Sequence, residues 1–162
     1  MTRLANDLVY EFLSIADDLA GRPAGKLVEL NACRRRAVST AYYAVFHALS
    51  FVCADTLSGP DHDPDMLALL YRALDRAELK ATLESAEMLQ LAPTLRAVGE
   101  AFKNLQERRF KADYAAPDFT IGGAETLELA GIARGAIALL EDLDFPTRRT
   151  LAVLLLAKSR PR

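Results

Sequence analysis

The feature that most narrows what this chain can fold into is a run of about thirty residues, roughly Leu27 to Leu57. It holds no glycine or proline until "SGP" at Ser58 to Pro60. Those two residue types are the ones that interrupt helices. The run therefore predicts one continuous helix about 45 Å long at ~1.5 Å per residue. Within it Ala37, Ala41, Ala44, Ala48 and Val52 line one face. Small side chains there let a neighbouring helix come close, so this helix reads as the spine of a bundle.

The flanking segments keep the same period. Leu4, Leu8, Phe12, Ile15 and Leu19 predict the inward stripe of an amphipathic helix, closed by "GRPAG" at Gly21 to Gly25. Asp63 and Pro64 read as an N-cap and a first helical residue. Leu67, Leu70 and Leu74, then Leu79 and Leu83, predict a shorter helix or a broken pair. Pro93 opens another helix with the stripe Leu95, Val98, Phe102 and Leu105, ended near Pro117. "TIGG" from Thr120 to Gly123 is a turn, after which Ala130, Ala133, Ile137 and Leu140 point a fifth helix inward. A last short helix is expected over Arg148 to Lys158. No segment alternates with period two. The expected fold is all-α, an antiparallel bundle of about five to six helices. Residues 1–145 form the bundle, and 146–162 a short helix and basic tail of the same domain.

Composition agrees and excludes several classes. The chain has 162 residues and is 51% hydrophobic, enough for a packed core and unlike a disordered chain. Its net charge of −2 creates no global field for nucleic acid. The segment from Pro146 holds Arg148, Arg149, Lys158, Arg160 and Arg162 with no acid, leaving the remainder at −7. Such an end reads first as a solubilising tail. Cys33 and Cys53 lie twenty positions apart on one expected helix, roughly 30 Å, beyond disulfide reach. Both are expected as buried thiols in a reducing compartment. No signal-peptide core opens the chain, and the longest apolar run, Leu151 to Ala157, is too short to span a bilayer. A cytoplasmic location without membrane attachment is expected.

Two constellations carry polar chemistry. On the spine, Arg36, Thr40, Tyr43 and His47 step by four, three and four and share a face. That face is either a polar seam with satisfied hydroxyls or a ligand or subunit interface. In "LQERRFKADYAAP", Leu105 to Pro117, extending the inward stripe by four lands on Arg109. A guanidinium on a buried line needs a partner, and Asp113 one turn on is the nearest. This pair is either a structural clamp or part of a site. Asp61, His62, Asp63 and Asp65 are better explained by helix capping than by a cation. "GGAE" at Gly122 to Glu125 lacks the rest of a nucleotide loop. No metal site and no cofactor is expected.

Together "RRAVSTAYYAVFHAL" and, some sixty residues later, "RRFKADY" resemble the HEPN superfamily, more narrowly its short single-domain members. The resemblance covers roughly Leu4 to Leu143. It implies a helical bundle that dimerises with motif helices meeting across a two-fold axis. Active ribonucleases of that superfamily use an arginine followed, after four to six residues, by a histidine. The arginine steadies the scissile phosphate while imidazole moves protons. Here, with four residues between it and Arg109 or five between it and Arg108, the corresponding position is Tyr114. A phenol, with a pKa of about 10, is a poor general base at neutral pH.

The resulting expectation is a homodimeric, non-catalytic or degenerate module. It would engage RNA or a partner protein through Arg36, Tyr43, His47, Arg108, Arg109, Asp113 and Tyr114. The resemblance also implies a minimal nucleotidyltransferase as partner, in a toxin-antitoxin-like pair, with Tyr114 as a candidate modified residue. One alternative is a metal-independent ribonuclease with Tyr114 in the histidine's place and Arg109, Tyr114 and His47 as catalytic candidates. Another is a helical assembly protein whose polar motifs only fix packing.

Overall fold

A computed structural model of the chain describes residues 3–23, 25–59, 63–91 and 93–156. Among them every regular element is a helix: α1 (Asp7–Ala20), α2 (Leu27–Ser58), α3 (Pro64–Ala73), α4 (Arg76–Leu83), α5 (Ala86–Leu91), α6 (Pro93–Tyr114), α7 (Gly123–Glu141) and α8 (Phe145–Leu156). The spine forms as expected, 32 residues of unbroken helix. It stops at Gly59, whose φ of 77° lies in the left-handed region that only glycine enters freely. α1, α3, α6, α7 and α8 all pack on it. By length and composition α2 could cross a membrane, but 89% of its most apolar window is buried inside the protein. Its apolarity is that of a core helix.

Eight helices are described where five to six are expected. The difference lies in residues 64–91, where the single or broken helix is three short ones. Leu74, Leu79, Leu83 and Met88 are the anchors there, each buried. α3 itself buries no residue completely and leaves Met66 and Leu69 exposed. Asp63 caps it, its side chain accepting from the Asp65 N–H at 3.0 Å. Asp61 and His62 of the acidic turn lie outside the described residues.

The expected stripe of α1 is displaced by one position. Val9, Leu13, Ala16 and Ala20 are buried, whereas Leu8 and Ile15 are 47% and 45% exposed and Phe12 is half-buried. Both sets have helical spacing. The buried set includes the small Ala16 and Ala20, which a reading weighted toward large apolar side chains passes over. α8 begins at Phe145, three residues before the expected start. Pro146 sits in its first turn, where a missing N–H costs nothing, and Asp144 accepts from the Thr147 N–H at 2.9 Å. Leu151 and Ala152 bury α8 in the bundle. Lys158, Arg160 and Arg162 lie outside the described residues.

The core is continuous. Tyr42, Leu49, Phe102, Leu105, Leu140 and Leu151 are among its largest fully buried side chains. Burying each aliphatic or aromatic side chain of this kind contributes about 1.5–3 kcal/mol.

Candidate functional site around Arg109

The first turns of α2 and the end of α6 are joined by polar groups, and this junction consumes most of the conspicuous arginines. Arg35 donates from Nε to the Ala112 carbonyl at 2.6 Å, from Nη2 to Ala115 at 2.9 Å and from Nη1 to Ala116 at 3.4 Å. The Ala112 and Ala115 carbonyls lie at the end of α6, where the helix offers no further N–H, and the Ala116 carbonyl also accepts from the Phe119 N–H at 3.0 Å, so one guanidinium ties the end of α6 and its turn to α2. Asn31 donates to the Phe119 carbonyl at 2.9 Å and accepts from the Ile121 N–H at 3.2 Å. Arg34 donates to the Ile121 carbonyl at 3.3 Å. It lies against Gly123, where a Cβ would come 3.1 Å from its Nη2. The 115–122 connection is thus fastened to α2 by Asn31, Arg34 and Arg35.

One helical turn further along α2 the arrangement changes. Arg109, on α6, donates from Nε to Asp113 Oδ2 at 2.8 Å, the i,i+4 pair that the spacing suggests. Ser39 donates to the same oxygen at 3.3 Å. Both charged side chains are 21% exposed. The guanidinium carbon lies 5.3 Å from the Tyr42 ring centroid and 5.4 Å from that of Tyr43, over two aromatic faces. Desolvation works against its charge, but Tyr43, the Asp113 carboxylate and Tyr42 together hold its pKa above the ordinary arginine value. The terminal nitrogens of Arg109 form no hydrogen bond among the described residues. Arg109 also lines a surface cavity of about 470 Å³ with Gln106, Glu107, Phe110 and Lys111.

Tyr43 links this guanidinium to a second aromatic group. Phe12 from α1 tilts against it at 6.5 Å and stacks on His47 at 5.1 Å, nearly parallel at 13°. Tyr71 from α3 covers another side of the imidazole, 5.6 Å between centroids, with its hydroxyl hydrogen-bonded to His47 Nδ1. Burial pushes the Tyr71 phenol up to about 12, with a smaller opposing effect from Asn6. His47 therefore serves as an anchor for α3.

The remaining expected site residues go elsewhere. Arg108 turns away to Glu125 on α7, an ion pair of 2.8 Å. Arg36 is exposed and shares with Asp113 a groove of about 390 Å³ between α2 and the end of α6. Tyr114 is 67% exposed and packs on Phe110, itself 64% exposed, with 5.1 Å between ring centroids. Sequence reasoning overlooked Phe110. The signal was present, since an aromatic at 110 stands one turn before Tyr114 on a face that holds no core residue. It also overlooked Ser39, Tyr42 and Arg35.

Neither cysteine is placed for a disulfide; both are free, and burial pushes the Cys53 thiol up to about 12. Cys33 is half-buried rather than buried, with Arg22 Nη1 at 3.6 Å from its sulfur. Among the described residues no group of three or more metal-ligating side chains converges.

Compared with known proteins, the chain matches no family model, no curated protein and no solved structure.

Proposed function

We propose that this chain is a HEPN-like, homodimeric binding module that engages RNA through Arg109 without cleaving it. The observation that carries the reading is the incomplete use of this guanidinium. Asp113 holds it through Nε and two tyrosine rings lie within 5.4 Å of its carbon, while its terminal N–H groups bond to nothing among the described residues and the side chain lines a cavity. A guanidinium so oriented is suited to a phosphate, which takes two parallel N–H donors. Arg36, 36 being on the same face of α2 as Tyr43, would extend the charged track.

Binding is favoured over cleavage by the placement of the proton carriers. His47 is engaged by Tyr71 and stacked on Phe12, and Tyr114 faces outward on Phe110. A nucleotidyltransferase partner, implied by the family resemblance, would find the Tyr114 ring accessible.

The test is a panel on purified protein: solution mass, RNA binding and RNA integrity for wild type, Arg109→Ala and Tyr114→Phe. The reading expects a dimer, bound but intact RNA, and about tenfold weaker binding by folded Arg109→Ala. RNA cleaved in the presence of chelator by wild type and not by Arg109→Ala would replace it with the ribonuclease reading. Equal RNA affinity for wild type and Arg109→Ala would remove Arg109 from the site.

A further inference from the structure

We infer that Phe110 and Tyr114 form a stacking platform for unpaired nucleobases, so that the RNA held at Arg109 is single-stranded; this deepens the reading above and rests on it. Three observations lead there. The two rings stand one turn apart on α6, each about two-thirds exposed, and contact each other at a 49° tilt. Leaving two aromatic side chains in water costs hydrophobic free energy that burial would recover. Helix stability does not require them, since good helix formers could occupy both positions.

The second observation is what surrounds them. Position 110 directly follows Arg109, and Phe110 lines the same cavity as Arg109, Gln106 and Lys111. Lys111 has no carboxylate partner among the described residues, whereas its neighbours Glu107 and Arg108 are paired with Lys80 and Glu125. A planar apolar surface therefore adjoins one free ammonium and one open guanidinium. That combination matches a nucleotide, with a π-face to stack and a phosphate to neutralise.

The third is size. An aromatic side chain offers about 150–250 Å², so two of them at two-thirds exposure present far less than the ~800 Å² per partner of a standard protein interface. Charged residues at 107, 108 and 111 border the pair, which limits any larger apolar contact. A base fits such a platform and a helix face does not. In duplex RNA the base faces are already stacked on one another, so only an unpaired strand could use it.

The experiment measures affinity for three probes at physiological salt: a twelve-nucleotide single-stranded RNA, the same backbone with abasic positions, and a blunt RNA duplex. The proteins are wild type, Phe110→Ala, Phe110→Trp and Arg109→Ala, each checked for fold and solution mass. Wild type is expected to prefer the single strand over the abasic and duplex probes by about tenfold, the scale of one stacked base. Phe110→Ala should lose that preference without weakening abasic binding, and Phe110→Trp should restore it. If wild type binds RNA through Arg109 but Phe110→Ala changes no affinity, the platform is refuted and the RNA reading stands. If no probe binds wild type, both fall. A shift from dimer to monomer in Phe110→Ala would make the pair a contact between copies, which also refutes the platform.

Discussion

Arg35 and the α2 residues that meet Arg109, Tyr42 and Tyr43, are about two turns of α2 apart along the same seam, yet the two arginines are used in opposite ways. Arg35 places all three of its nitrogens on backbone carbonyls at the end of α6. Arg109 gives Nε to Asp113 and leaves its terminal nitrogens open over Tyr42 and Tyr43. Carbonyl oxygens at a helix end must be satisfied, and a planar fork of donors suits several at once. The contrast separates an arginine consumed by the fold from one presented by it. The residue type is the same in both places; the neighbours decide.

The largest effect that would sharpen this contrast is on stability at the consumed end. Arg35→Ala should cost about 3 kcal/mol, since it removes several charge-assisted hydrogen bonds and strands helix-end carbonyls. Urea unfolding measures it, and a loss below about 1 kcal/mol would mean water replaces the guanidinium freely. At the presented end Arg109→Ala should cost only about 1–2 kcal/mol. Asp113 keeps Ser39 and, at 21% exposure, some solvent. A loss as large as that of Arg35→Ala would make Arg109 a structural clamp and support the assembly reading.

Tyr71→Phe tests the far side of the aromatic group and should cost about 1 kcal/mol, one hydrogen bond to His47. It should also flatten the alkaline limb of the stability curve. The Tyr71 phenol is pushed up to about 12 by burial, against about 10 for a free phenol. Folding therefore favours its protonated form. That contribution is fully present below pH 10 and is lost as pH rises from 10 toward 12. An alkaline limb identical in wild type and Tyr71→Phe would show that α3 is held some other way.

The smallest expected effect is at Gly123. An alanine Cβ there would come 3.1 Å from the flexible end of Arg34. The side chain can yield, so the cost should stay within about 0.5 kcal/mol. A calorimetric or denaturant measurement showing several times that value would mean Arg34 is as rigidly seated as Arg35.

Legibility in the sequence followed the range of the interactions. The spine, the proline-opened α6 and the i,i+4 pair of Arg109 with Asp113 depend on residues close in the chain, and their spacing exposes them. α1 was misread by one position because Leu8 and Ile15 are larger than Ala16 and Ala20, and size outvoted closeness of packing. One break within residues 64–91 is legible in the five-residue step from Leu74 to Leu79, which allows a broken pair; the second, between α4 and α5, follows no glycine or proline and leaves no sign in composition. Arg35 was invisible as a cap, because its partners are 77 to 81 residues away and are carbonyls that every residue carries. Half of the candidate site is of this long-range kind: Tyr42 and Tyr43 meet Arg109 only once α2 and α6 are packed. Phe110 was legible but unweighed, since an exposed aromatic announces itself only after the core is known.

The 32-residue spine has a consequence for how the molecule comes apart. Five of the other helices rest on it directly, so no subset of them can keep its native surroundings while α2 is unfolded. Heating or denaturant should thus dissolve the bundle in a single cooperative step, whichever probe watches it. Slowly exchanging amides should cluster along the middle of α2, where residues 37–42 and 48–54 are uniformly enclosed.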